Sequence, residues 1–182
     1  MKRFCLCISL IFTLLLSGCG TGKEEKLLSD FSSALSERKD LGFVGKLRFE
    51  YENRTVDFTL QYRQAEHGCE ITVLEPEIIE GLKVQLDEKG SVLEYDELFI
   101  DTGELDNFGL SPLSALPLFV SSLQTGYLDS VRSESSYYVY SLVPDDNSSV
   151  EVWFEKDSMV PVHAEISSEG IVRVFCDIES WR

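Results

Sequence analysis

Few residues in this chain have the types and spacing that chemistry needs. The two histidines, His67 and His163, sit in no HExxH, GxSxG or CxxC arrangement. Neither is therefore paired by spacing with a nucleophile or a second ligand. His67 beside Glu66 reads as a solvated turn, and His163 falls in a strand pattern. Acidic pairs such as Asp96-Glu97 and Asp145-Asp146 are expected by chance among 32 Asp and Glu residues, and they read as solubilising charge. Asp101 to Asp106 is only a loose version of the alternating oxygen ligands of a calcium loop. No catalytic residue, metal site or cofactor is assigned. Cysteine is the remaining reactive type. Cys5, Cys7 and Cys19 fall at the N-terminus, and Cys69 and Cys176 in the body of the chain.

Cys19 has the most readable context. Lys2 and Arg3 precede an almost wholly apolar run from Phe4 to Leu16, and the small residues Ser17 and Gly18 follow. Charge, apolar run and small residues, in that order, make a secretory signal. The run falls short of the about 20 apolar residues that a transmembrane helix needs. Leu16-Ser17-Gly18-Cys19 resembles the lipobox of bacterial lipoproteins. That resemblance implies cleavage before Cys19, diacylation of its sulfur, and an extracytoplasmic protein lipid-anchored to a bacterial membrane. The chain then divides into a signal at residues 1–18, a tether at 19–25 and a single domain at 26–182.

Removing the signal leaves 164 residues (182 less 18) and takes away two basic residues and no acidic one, so the net charge moves from −16 to −18. A chain this negative is unsuited to nucleic acid, whose phosphates are neutralised by Lys and Arg. It is equally unsuited to a polybasic grip on anionic lipid. The acyl chains must hold it to the membrane. With 43% hydrophobic residues the domain has material for a core. Cys69 and Cys176 allow two readings, a disulfide in an oxidising compartment or two small buried hydrophobes.

The elements that must position these residues follow from periodicity. Leu27, Phe31 and Leu35, with Leu28 beside them, predict an amphipathic helix stopped near Gly42. From Phe43 the period becomes two, clearest where Val56, Phe58, Leu60 and Tyr62 alternate with polar residues, and about six strands follow. Ser111-Pro112 opens a helical insertion in which Leu116, Phe119, Val120 and Leu123 share a face. Pro117 predicts a kink there, or two short helices. Four strands from Tyr137 to Ile178 complete the chain. The fold class is α+β: a curved antiparallel sheet, or incomplete β-barrel, of about ten to eleven strands covered by helices.

Two local pieces resemble the LolA/LolB family of lipoprotein carriers and receptors. One is Cys69-Glu70-Ile71-Thr72-Val73-Leu74-Glu75-Pro76 followed by Gly81-Leu82-Lys83-Val84. The other is Glu151-Val152-Trp153-Phe154-Glu155-Lys156 followed by Met159-Val160-Pro161-Val162. The resemblance runs over roughly residues 26–179 and implies an unclosed antiparallel barrel with a helical lid over an apolar cavity. Clostridial germination-protein-S-type sporulation lipoproteins look similar in size and layout. For that branch the implied role is to bind and support a cell-wall amidase.

The resemblance implies two sets of binding residues. In the receptor branch a loop between early strands carries an exposed apolar residue that touches membrane or cargo. Here that is Ile78 or Ile79, and the other reading is a cap on the open end of the barrel. Phe58, Leu60, Leu116, Phe119 and Val120 would line a pocket for acyl chains, or make a filled core. The functional reading is a non-enzymatic, membrane-anchored lipoprotein binding an acylated or apolar ligand, or a lipoprotein, in the half-barrel. The alternative is a protein-interaction adaptor for an extracytoplasmic cell-wall enzyme during sporulation or germination.

Overall fold

The alternation from Phe43 onward builds a single sheet. The computed structural model of the protein describes residues 21–51, 54–87, 90–96, 98–103 and 110–182. Helix α1 (Thr21–Glu37) leads into β1 (Gly42–Tyr51), β2 (Arg54–Ala65), β3 (Gly68–Glu75), β4 (Lys83–Asp87), β5 (Gly90–Tyr95) and β6 (Leu98–Gly103). Helix α2 (Pro112–Thr125) follows. Then come β7 (Tyr127–Glu134), β8 (Tyr137–Asp145), β9 (Ser148–Glu155), β10 (Pro161–Ser168) and β11 (Ile171–Glu179). All pairings are antiparallel, in the order β6-β5-β4-β3-β2-β1-β11-β10-β9-β8-β7. Two meanders are therefore stitched together where β1 meets β11, from Val44 opposite Glu179 to Phe49 opposite Val174. The sheet stays open, with β6 and β7 as its edges. This is the curved antiparallel sheet covered by helices that the sequence predicts.

The apolar positions of each strand face one side, and both helices pack there. On β1 these are Phe43, Leu47 and Phe49; on β11, Val174, Cys176 and Ile178. Helix α2 presents Ala115, Leu116, Phe119, Val120 and Leu123 to the sheet. Its start is a capping box, in which the Ser111 hydroxyl accepts from the Ser114 N–H and the Ser114 hydroxyl accepts from the Ser111 N–H. A cap of this kind contributes about 1 kcal/mol. Helix α1 buries Leu28 and Leu35. Its Phe31 meets Phe154 edge to face at 4.9 Å, and the Tyr140 hydroxyl donates to the Glu24 carbonyl at 3.0 Å.

Three details depart from the sequence expectation. Helix α1 begins at Thr21, so residues 21–25, expected as tether, form its first turns. Helix α2 is one helix through Pro117, so the alternative of two short helices gives way. Proline there removes only the bond to the Leu113 carbonyl, and the buried face outweighs that loss. Strand β7 is the third. It is exposed along most of its length, so it carries no apolar alternation to announce it.

Two glycines are demanded by geometry. Gly68 turns the β2–β3 hairpin at φ 112°, where a Cβ would lie 1.8 Å from the Leu86 carbonyl oxygen. Gly45 sits on the inner face of β1 under α2, and its missing side chain lets the helix approach.

Candidate functional site

The inner face is the first candidate, because the expected cavity residues all lie there. Leu60, Leu116, Phe119 and Val120 belong to one packed cluster between the helices and the sheet, and partly buried Phe58 packs against it. Leu60, Leu116 and Phe119 are 0% exposed and Val120 is 2% exposed. Phe119 lies 5.8 Å from Phe43 and 6.3 Å from Trp181, ring centre to ring centre. A methyl group added at Gly45 would stand 3.1 Å from Cys176 Sγ, Leu116 Cδ2 and Leu47 Cδ1. These side chains pack closely beneath α2 at the centre of the concave face.

The loop after β3 separates the two isoleucines. A cis peptide joins Glu75 to Pro76, a 3-10 turn spans Glu77–Ile79, and Gly81 reverses the chain at φ 84°. The Val73 N–H donates to the Leu82 carbonyl at 2.8 Å, and the Gly81 N–H to the Val73 carbonyl at 2.9 Å. Successive residues of a 3-10 turn point about 120° apart. Ile78 consequently projects into solvent, 83% exposed, while Ile79 packs against the core.

On the outer face, where Lys46 and Arg48 alternate with buried Leu47, lies a groove of about 940 Å3. Its charges pair off. Lys46 Nζ meets Glu179 at 2.9 Å, Arg48 Nε meets Asp57 at 3.2 Å, and His163 Nδ1 meets Asp177 at 2.7 Å. The hydrogen bond that the Lys46 ammonium donates to Glu179 raises it above its ordinary range. The Thr59 hydroxyl donates to Glu75. Exposed pairs of this kind add little stability, and their mutual neutralisation leaves no unbalanced cation for an anionic ligand. Among the described residues no three His, Cys, Asp or Glu side chains stand together as a metal site, and no helix is long and apolar enough to cross a membrane. Cys19 lies outside the described residues.

Sequence reasoning passed over Leu98, Phe99 and Ile100 as a possible surface. They are 66%, 67% and 53% exposed on edge strand β6. The signal was present, since three consecutive apolar residues in a strand cannot all face one side.

Cys69 and Cys176 are free thiols, so the disulfide reading gives way to that of buried hydrophobes. Their strands, β3 and β11, are separated by β2 and β1. Three strand spacings amount to about 14 Å, and a disulfide needs Cα atoms within about 7 Å. Burial pushes the Cys69 thiol up to about 11 and the Cys176 thiol up to about 12 from an ordinary 9.0. Burial, then nearby Tyr138, pushes Tyr140 up to about 12. In each case the unfolded chain loses its proton at a pH where the folded chain keeps it. Stability is then fully present below about pH 9 and falls as pH climbs toward 12. Denaturant titrations from about pH 8 to about pH 11 are expected to show a falling midpoint. A constant midpoint would mean that these groups ionise without cost in the fold.

No protein-family model matches the chain, and no curated protein matches it by sequence. Solved structures do resemble it. An uncharacterized conserved protein from Thermus thermophilus superposes with a TM-score of 0.52 at 9% identity, covering 87% of this chain and 86% of that one. A LolA superfamily protein from Nitrosomonas europaea gives 0.47 at 10% identity, covering 87% and 92%. A chain from the complex of the CwlD amidase with the GerS lipoprotein of Clostridioides difficile gives 0.44 at 13% identity, covering 84% and 91%. At these identities the likeness is one of fold.

Proposed function

We propose that this chain is a membrane-anchored extracytoplasmic lipoprotein that catalyses no reaction and acts as an adaptor, binding a protein partner through its surface. The observation that carries this reading is the closely packed centre of the concave face, with Leu60, Leu116 and Phe119 at 0% exposure beneath α2. A carrier of acyl chains needs an apolar space of several hundred Å3 in which to hold them. Here Leu60, Leu116 and Phe119 are packed against their neighbours, and the space of about 800 Å3 left beside α2 is lined by Ser114, Ser121, Asp145 and Asp146 as well as by Leu110 and Leu118. The partner class is an extracytoplasmic cell-wall amidase, which the sporulation branch of the family resemblance implies.

Cys19 supplies the anchor and exposed Ile78 a contact at the loop after β3.

Native mass spectrometry of the soluble domain, residues 20–182, tests the reading. A single mass without adduct is expected after gentle purification from a bacterial host. A co-purifying fatty acid or phospholipid would replace the adaptor with the carrier and direct attention back to Phe58, Leu60, Leu116, Phe119 and Val120.

A further inference from the structure

The two free edges of the sheet are built in opposite ways. Strand β7 carries Asp129, Arg132 and Glu134 along its length and is bulged between Leu128 and Ser130. Arg132 is clamped by Glu151 at 2.7 and 3.0 Å and by Glu134 at 2.9 Å. Charge and a bulge are the devices by which natural edges discourage further strand pairing. Strand β6, Leu-Phe-Ile-Asp-Thr-Gly, has no lysine, arginine or proline. From Leu98 to Asp101 it pairs in regular register with Tyr95 to Val92, and the register shifts only beyond that.

We propose that the outer edge of β6 docks an extended segment of a partner protein, apolar at its centre and flanked by lysine or arginine, as a twelfth strand. The inference rests on the surface-acting reading above and gives that surface a place and a partner chemistry. Leu98, Phe99 and Ile100 are each more than half exposed, so apolar surface is bare on both faces of the strand. Among the described residues no other strand takes up the outward backbone groups of β6. Strand addition satisfies such groups through main-chain hydrogen bonds, and alternate side chains supply the specificity.

Charge selects the occupant. The sequence around the apolar triplet is acidic, with Glu94 and Asp96 before it and Asp101 after it, and no lysine or arginine occurs between Lys89 and Arg132. Pairing with a second copy would bring two acidic segments together, and like charges directly opposite destabilise a pair. The same field repels an anionic membrane surface. A basic-flanked strand meets attraction at both ends.

The test uses the full chain, purified in detergent, and the labelled peptide Arg-Lys-Val-Thr-Val-Ile-Lys-Arg, followed by fluorescence anisotropy. Binding is expected, with affinity falling at least about tenfold when glutamate replaces the four basic residues, or when alternate backbone nitrogens are methylated. Phe99→Lys should cause a similar loss with an unchanged melting curve, and Leu98→Lys serves if Phe99→Lys fails to fold. Equal binding of the acidic peptide, or indifference to N-methylation, overturns the proposal. So does a dimer that Phe99→Lys dissociates, or protection of β6 amides by phosphatidylglycerol vesicles instead of the peptide. A domain carrying lipid in its interior that still binds the peptide would sink the adaptor reading and leave this edge intact. An empty domain that ignores the peptide would do the reverse.

Discussion

Phe119→Ala is expected to destabilise the domain by about 3–5 kcal/mol, the usual cost of emptying a buried aromatic site. Phe119 is 0% exposed and links three parts of the chain. From helix α2 its ring meets Phe43 of β1 at 5.8 Å and Trp181 of the C-terminal tail at 6.3 Å. Trp181 in turn stacks on Phe31 of α1. Removing the ring takes contacts from both helices and the sheet at once, so little can collapse into the gap. For a domain of this size about 2–4 °C of melting temperature is lost per kcal/mol, so circular dichroism should record a drop of roughly 10 °C. A loss below about 1 kcal/mol would show an interior that already tolerates empty space. The filled-core argument would then fail with it.

The second large effect is expected outside the fold. With Cys19→Ala, acyl label should vanish from the protein, and the chain should leave the membrane fraction or persist as uncleaved precursor. On the proposed lipoprotein reading, the acyl chains on Cys19 are the anchor. Each buried acyl CH2 contributes about 0.8 kcal/mol, and two chains are needed for stable anchoring. With the proposed cleavage before Cys19, the remaining charge of −18 would add repulsion from anionic lipid. Fractionation with a palmitate label decides it. An acyl-labelled, membrane-bound mature form of the variant would mean that the anchor lies elsewhere.

Much of the architecture was legible in the residues. Leu27, Phe31 and Leu35 announced α1, and the alternation around Phe58 and Leu60 announced β2, because helix and strand periods of 3.6 and 2.0 are written directly into apolar spacing. Ser111-Pro112 announced the start of α2. Strand β7 escaped because only Leu128 and Val131 turn partly toward the core, and the bulge between Leu128 and Ser130 breaks their alternation. Which of Ile78 and Ile79 is exposed also stayed hidden, because it depends on the 3-10 turn between them.

By itself, then, the sequence determined the net charge, the period of each element and hence which face of each is apolar. Only the tertiary structure decided whether those apolar faces enclose a vacancy or fill it. That outcome turns on distances between residues far apart in the chain, as where Gly45, Leu116 and Cys176 converge. Periodicity specifies the direction in which a side chain points. The space left between two facing surfaces depends on the summed volumes of side chains that meet only once β1 has paired with β11 and α2 has settled across them.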